Sequence, residues 1–417
     1  MSQEATFSCG GSVCGATEDA VVDIYTDAEA EAHAKEVGVD PRPMETIKEI
    51  DETGAFIRQP NAFIQPFGDK EGDLKAEVGR YSIYWAKGCN WSNRPVIARD
   101  LLGLQDVIGD QLTTHSGETN VYGHGFADQP GHKDPATGAY FLSEFYKRAK
   151  PDFTGRATTP TLVDVIEKKA VNNDYHRLSN YIEVQFRPFQ PKDAPDLYPK
   201  KFRKEIDEFN DWLFPHINNG HYRMAFCQSI GAYNEAFDDF YESMDKLEER
   251  LETNRFLFGD YVTDSDIRFF VTLARWDTSY YRNVGPVKHR IVDYKNIWGY
   301  ARELYSIPAF KNNTYLADFL KGPGQKGDKH KQLMRDFNSR LGGQIDFEKL
   351  WANDGARKHL SKTPDEMFLR HPANETYEDY AGEISQPIWN SPNWADRNPK
   401  NGTLSIDASI NPLKGLL

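Results

Sequence analysis

A predicted strand that gives way to a helix at a single cysteine is the feature that most constrains this chain. Residues 81–86 are mostly aromatic or β-branched, which is typical of a strand. Lys87 and Gly88 end this run, and from Trp91 apolar residues recur at helical spacing. Cys89 therefore lies at a helix N-terminus, where free amides and the helix dipole favour a reactive thiolate. The alternative is a buried cysteine that acts as a small apolar residue.

The length and charge of the chain exclude several classes of protein. Its 417 residues exceed one ordinary domain, so we expect two or three. The net charge of -13 argues against nucleic acid or an anionic membrane as the main partner. The sequence shows no signal peptide and no apolar run that could cross a bilayer, and its four cysteines are too few for a disulfide scaffold. These features predict a cytoplasmic location.

Strand and helix patterns alternate after the first junction. They give the order β-α-β-α-β-β-α, with a strand and helix at 81–103, a strand at 107–112, a helix at 139–150, strands at 156–164 and 165–171, and a helix from about His176. Pro160 lies in the third of these strands, and we expect a cis peptide bond between Thr159 and Pro160. From 200 onward the patterns are helical: an amphipathic stretch at 200–218, a long helix at 225–253, one that starts with a capping box at Thr263, and a final one at 295–305.

Both ends of the chain are polar. Cys9 and Cys14 are separated by four residues rather than the two of a thiol–disulfide or zinc pair, so we predict incidental thiols in a flexible tail and no metal site. A short acidic helix is predicted at 27–37. Residues 321–417 are predicted to be an extended tail with one helix at 329–341.

Four motifs resemble, in order and spacing, those of one family. They are Cys89-Asn-Trp-Ser-Asn-Arg94, Gly155-Arg-Ala-Thr-Thr-Pro-Thr-Leu-Val-Asp164, Asn218-Asn-Gly-His-Tyr222-Arg-Met-Ala-Phe226 and Thr263-Asp-Ser-Asp-Ile-Arg268. Over roughly residues 75–310 the chain resembles the xi-class glutathione transferases, the glutathionyl-hydroquinone reductases. The resemblance implies an α/β plus all-α fold, a thioredoxin-like domain at 75–187 followed by an all-helical domain at 188–320. Extensions at 1–74 and 321–417 flank them.

The resemblance also implies roles for individual residues. Cys89 would take the thiol from a glutathionyl-hydroquinone as a mixed disulfide, which a second thiol resolves, because the residue three positions on is Ser92 and not a second cysteine. Tyr222 would donate a hydrogen bond to the leaving quinol oxygen, the Thr159 backbone would pair with the thiol peptide, and Arg156 would bind a carboxylate. No bound cofactor is expected. Glutathione or a related small thiol would be the cosubstrate, an aromatic electrophile the partner, and the chain a homodimer.

Departures from the family motifs fall on the thiol site. The Glu-Ser pair that holds the γ-glutamyl group is Asp174-Tyr175 here, and the Gly-Trp pair is Gly123-His124. Loss of the serine hydroxyl would cost about 1.5–3 kcal/mol of binding, so we predict weak glutathione binding that Tyr175→Ser strengthens. His124 alters an aromatic contact with the thiol.

Several assignments have alternatives. Arg156 could form a surface ion pair, Tyr222 could pack between helices, and Asp174 is either a partner for the ammonium group or a plain helix cap. The chain as a whole could use a small thiol other than glutathione. It could also be a non-catalytic binding protein on the same scaffold.

Overall fold

A computed structural model describes residues 24–41, 49–321, 329–402 and 408, so the thiols of Cys9 and Cys14 lie outside the described residues. The strands are β1 (Tyr81–Trp85), β2 (Gly109–Leu112), β3 (Thr114–His115), β4 (His124–Gly125), β5 (Thr161–Asp164) and β6 (Lys169–Asn172). The helices are α1 (Asp27–Val37), α2 (Asn90–Leu101), α3 (Leu142–Ala149), α4 (Leu178–Gln185), α5 (Arg203–Leu213), α6 (Gly220–Phe226), α7 (Ile230–Thr253), α8 (Asp264–Trp276), α9 (Lys295–Tyr305), α10 (Pro308–Asn312), α11 (Leu316–Lys321), α12 (Lys329–Gly342), α13 (Phe347–Leu350), α14 (Tyr377–Tyr380) and α15 (Pro399–Gly402).

A mixed sheet of four strands, in the order β2-β1-β5-β6, organises the N-terminal half. β1 pairs parallel with β2 and antiparallel with β5, and β6 pairs antiparallel with β5. Every residue of the two central strands is buried, which explains why β1 reads as a continuous aromatic and β-branched run. α2 packs against β1 and α4, and α3 packs against β6. The predicted order of elements is confirmed, with a small β3-β4 hairpin added in the loop that follows β2.

Helix α8 forms the buried centre of the helical half. All of its residues, from Asp264 to Trp276, are buried. Its predicted capping box is confirmed, because Asp266 Oδ2 accepts hydrogen bonds from the amide and the hydroxyl of Thr263 at 2.7 and 2.9 Å. α8 packs against α5 and α9 and against α2 of the sheet half. No described helix is both long and apolar enough to cross a membrane.

The structure corrects the bounds of several predicted elements. The long helix predicted at 225–253 is interrupted between α6 and α7, because the Ser229 side chain accepts a hydrogen bond from the Ala232 amide and begins a new helix. The predicted strand at 165–171 is mostly a turn, with Lys168 at a φ of 53°, and β6 begins only at Lys169. The amphipathic stretch at 200–218 divides into a 3-10 turn, α5 and a π-helical segment over Phe214–Asn218. Helix α9 has the predicted bounds but is followed by α10 and α11, so it is not the final helix.

The C-terminal extension folds back onto both halves of the molecule. Its described residues contain the predicted helix as α12 and three short α-helices besides, so the prediction of an otherwise extended tail is wrong. Ser385 joins it to the rest of the chain, since its carbonyl accepts a hydrogen bond from Arg177 Nε at 2.7 Å and its hydroxyl donates to Asp207 at 2.6 Å. Arg177 precedes α4 and Asp207 lies in α5. The domain bounds expected from the sequence stay a proposal.

Candidate active site

Cys89 occupies the N-cap position of α2, at the end of the turn that leaves β1. The residue is partly exposed, and its Sγ donates a hydrogen bond to the Thr159 carbonyl at 3.3 Å. The Thr159–Pro160 peptide bond is cis, as predicted. The fold therefore brings the thiol and the backbone of the residue before Pro160 together, although about 70 residues separate them in sequence.

Arg275 of α8 holds the turn that precedes the thiol. Its Nε donates to the Gly88 carbonyl at 3.0 Å, and its Nη2 donates to the Lys87 carbonyl at 2.9 Å and to Asn93 Oδ1. Arg275 is fully buried, and this burial lowers its pKa. No sequence pattern indicates this role of Arg275, because the contact joins two halves of the chain.

An aromatic cluster covers the thiol. Trp91, Phe214 and Trp389 are its buried members, and Cys89, Tyr175 and Tyr222 pack against them. The ring centroid of Trp91 lies 4.9 Å from that of Tyr175 and 5.6 Å from that of Tyr222. Two of the predicted site residues, Tyr175 and Tyr222, therefore belong to the same cluster as Cys89.

Arg58, in the segment that precedes the sheet, lies over this cluster. Its guanidinium carbon is 4.7 Å from the ring centroid of Tyr222, 4.8 Å from that of Trp91 and 5.7 Å from that of Tyr175. The pKa of the Arg58 guanidinium is raised. Burial by itself would lower this pKa, but the combined effect of Tyr175, Tyr222 and other acidic groups, including Cys89, is larger and opposite. Among the described residues its Nε has no hydrogen-bond partner. No sequence pattern singles out Arg58, which lies in a segment without regular helix or strand.

Tyr222 belongs to a pair of buried phenols. Its hydroxyl lies 3.2 Å from that of Tyr280 and donates to Asn90 Oδ1 at 3.5 Å. Burial raises the pKa of Tyr222, so the hydroxyl keeps its proton near neutral pH. His221 stacks on Tyr280 at 3.8 Å, and burial lowers the pKa of His221 to about 3, which keeps this ring uncharged. Tyr222 is thus a hydrogen-bond donor at the edge of the thiol cleft.

Asp174 is completely buried, and the chain itself occupies both of its carboxylate oxygens. Oδ1 accepts from Asn61 Nδ2 at 3.1 Å and from the His176 amide at 3.0 Å, and Oδ2 accepts from Asn390 Nδ2 at 2.9 Å. Burial raises the pKa of this carboxyl group. The backbone carbonyl of Asp174 also accepts from the Leu178 amide at 2.8 Å, so the residue closes the turn that precedes α4, whose N-cap is Arg177. Asp174 therefore caps this turn, close to the helix-cap role considered from sequence but not at the first residue of the helix.

Arg156 and His124 lie in other contacts. Arg156 Nη2 is 3.5 Å from Glu49 Oε2, and Arg156 lines a cavity of about 180 Å³ together with Gly123 and Lys147. His124, the residue after Gly123, lies in β4, and its Nδ1 is 3.1 Å from the Thr113 hydroxyl. The ion pair of Arg156 is the alternative raised from sequence, although a partly exposed guanidinium beside a cavity can also receive a carboxylate.

Buried polar atoms without partners surround the first turn of α2. Among the described residues, Asn90 Nδ2, Trp91 Nε1 and Arg94 Nε have no hydrogen-bond partner. Arg94 uses another nitrogen, Nη2, to donate to Asn218 at 2.7 Å, and burial lowers its pKa to about 9. Unsatisfied donors are costly in a folded protein, so such a concentration next to a thiol is typical of a ligand site.

Known proteins with this fold and site define its class. The family model for the glutathione S-transferase C-terminal domain matches residues 230–303. The glutathionyl-hydroquinone reductase PcpF of Sphingobium chlorophenolicum is 34% identical over 248 residues, covering 58% of this chain and 76% of that protein. The xi glutathione transferase of Phanerochaete chrysosporium has a TM-score of 0.61 at 32% identity, covering 70% of this chain and 92% of that one. The glutathione-bound structure of YqjG from Escherichia coli has a TM-score of 0.57 at 30% identity, covering 70% and 92%.

The chain is therefore a glutathione transferase-like enzyme with a thioredoxin-like sheet half and an all-helical half, as its sequence predicts. Within that class it belongs to the xi class, the family of the glutathionyl-hydroquinone reductases.

Proposed function

We propose that this enzyme removes a small thiol from a quinol-type conjugate through a mixed disulfide on Cys89. The observation that carries the proposal is the placement of a partly exposed thiol at a helix N-terminus, against the Thr159 carbonyl and in the same aromatic cluster as Tyr222. The names of the relatives, which include a glutathionyl-hydroquinone reductase, support the same chemistry. Thiolates at helix N-termini are good nucleophiles because the free amides and the dipole stabilise the negative charge.

The proposed reaction has two balanced steps. The Cys89 thiolate attacks the sulfur of the conjugate, an S–S bond forms as the S–C bond breaks, and the ring carbon keeps the electron pair and takes a proton. The free quinol then leaves. A second small thiol attacks the mixed disulfide, departs as a disulfide with the first thiol, and restores the Cys89 thiol. Overall, one free thiol and the thioether sulfur of the conjugate are oxidised to a disulfide, and one ring carbon is reduced.

The residues around the thiol would bind the two parts of the conjugate. Trp91 and Tyr222 offer aromatic faces for the quinol ring, and the Tyr222 hydroxyl would donate a hydrogen bond to the quinol oxygen. The Thr159 backbone would pair with the thiol peptide, and Arg156 would exchange Glu49 for a carboxylate of that peptide. His124, Asp174 and Tyr175 are the further contacts that the sequence assigns to this thiol.

The thiol of the proposed reaction is glutathione or a related small thiol, and a glutathione-bound structure of a relative supports this class of thiol. A different small thiol is the alternative within enzymes. The homodimer and the cytoplasmic location expected from the sequence are parts of the same proposal.

Intact mass measurement tests the proposal directly. The protein is incubated with a glutathionyl-hydroquinone, its mass is recorded, and excess thiol is then added. We expect one thiol adduct on Cys89, with free quinol in solution, and loss of the adduct after the second thiol. A chain that gains no mass with any quinol conjugate or thiol disulfide would instead be a non-catalytic binding protein.

Replacing Tyr222 by phenylalanine should reduce kcat. The substitution removes one hydroxyl donor but keeps the ring that packs on Trp91, so we expect a loss of about ten- to hundredfold in kcat with little change in KM. Steady-state kinetics with a quinol conjugate measures this. Tyr261→Phe is the matched control, because the Tyr261 hydroxyl contacts Thr363, away from the thiol. Unchanged kcat in Tyr222→Phe would mean that the hydroxyl serves packing only.

A further inference from the structure

The C-terminal extension brings a polar side chain to Asp174, a residue that the sequence assigns to the thiol site. We propose that Asn390 of the extension, together with Asn61, fills the position on Asp174 that a ligand ammonium group would need, so that the enzyme selects a small anionic thiol without an α-amino group. This inference rests on the proposed function, whose thiol it specifies.

The first support is the saturation of Asp174. A carboxylate binds an ammonium group through oxygen lone pairs that are open to the ligand. Here two side-chain amides and one backbone amide donate to the two oxygens at 2.9–3.1 Å, and the residue is 0% exposed. The two amides also meet each other, since Asn61 Nδ2 donates to Asn390 Oδ1 at 2.8 Å. An entering ammonium group would have to displace both asparagines.

The second support is that the extension is fixed around Asn390. The Trp389 ring packs 5.1 Å from Phe214 in the aromatic cluster. Gln386 Oε1 accepts a hydrogen bond from Asn390 Nδ2 at 2.9 Å, while Gln386 Nε2 donates to the Tyr181 hydroxyl at 2.8 Å. With the bonds of Ser385 to Arg177 and Asp207, these contacts hold this part of the extension against Asp174 and the aromatic cluster. Removing Asn390 from Asp174 therefore requires more than a rotation of one side chain.

The third support is the charge of the protein groups that are still available to contact a ligand. Arg58 lies over the rings beside the thiol and has an Nε with no partner among the described residues. Glu49, an acidic group of this region, already accepts from the Gln59 amide at 3.3 Å and from Arg156 at 3.5 Å. A ligand ammonium group would thus meet a guanidinium and two occupied carboxylates. An anionic group would meet an available donor.

Two thiols that differ only in the amino group test this inference. The probes are glutathione and its desamino analogue, in which a hydrogen replaces the α-amino group. Calorimetric titration of the full chain should give at least about tenfold tighter binding of the analogue. Asn61→Ala with Asn390→Ala exposes Asp174, so this double variant should shift the preference at least about tenfold toward glutathione. Asn393→Ala removes an exposed amide of the same extension, which donates to Asp396, and should leave the preference unchanged.

The outcomes separate this inference from the proposed function. Equal affinities, or tighter binding of glutathione by the unmodified chain, overturn the inference even if Cys89 forms an adduct. If neither thiol binds and no adduct forms with any conjugate, the proposed function fails, and the inference fails with it. If the double variant does not fold, the affinities of the unmodified chain for glutathione and for its desamino analogue still decide whether the inference holds.

Discussion

Replacing Cys89 by serine will eliminate the thiol adduct and reduce turnover of a quinol conjugate on the order of a thousandfold or more. A serine hydroxyl has nearly the same size and can still contact the Thr159 carbonyl, but it cannot form a disulfide. The remaining residues of the cleft could then bind the conjugate without cleaving it. Single-turnover assays of quinol release, with intact mass measurement on the same samples, check both expectations.

Cys227→Ser is the matched control for this experiment. Cys227 is also partly exposed, but its Sγ donates to the Met224 carbonyl at 3.2 Å, and burial raises its pKa, so it should remain a thiol near neutral pH. We expect this variant to keep full turnover. A mass adduct that persists in Cys89→Ser and disappears in Cys227→Ser would identify Cys227, just after α6, as the reactive thiol and contradict the proposed mechanism.

Replacing Asp266 by alanine will lower the free energy of unfolding by about 3–5 kcal/mol. Asp266 is completely buried, and beyond the capping box its Oδ1 accepts from the Leu257 amide at 2.9 Å and the Tyr300 hydroxyl at 2.8 Å. The substitution leaves these buried donors unpaired and removes the start of α8. Chemical denaturation followed by tryptophan fluorescence measures the change.

Asp238→Ala is the control for the stability experiment. Asp238 is an exposed aspartate of α7, so its loss should change the free energy of unfolding by about 0.5 kcal/mol or less. If Asp266→Ala unfolds at the same denaturant concentration as this control, then other groups, or water, satisfy the donors around Asp266. The central position of α8 would then not depend on its capping box.

The parts of the site that sequence predicts are those with a local signal. The junction at Cys89 follows from a change of hydrophobic period over about twenty residues. Arg58, Asn61 and Asn390 have no such signal, because they lie in irregular segments and meet only through long-range packing. The bond between Asn61 and Asn390 spans 329 residues. Side-chain pairs of this kind depend on the path of the whole chain, which no periodicity records.

The errors in the helical half have a local cause that sequence periodicity hides. Apolar spacing runs without a break through 225–253, so it predicts one helix. Ser229 nevertheless offers its side chain to the Ala232 amide, and a cap of this kind competes with continued helix. Where α6 ends, the extended backbone of Cys227 turns the chain before α7 starts.

The contact of Arg275 with the turn before Cys89 limits how this protein can be divided or recombined. The carbonyls of Lys87 and Gly88 belong to the sheet half, but the guanidinium that binds them belongs to the helical half. A sheet half expressed alone would lose the donors that shape its own turn before Cys89. A chimaera that takes its helical half from another transferase would keep the shape of that turn only if this half has an arginine at the position of Arg275 in α8.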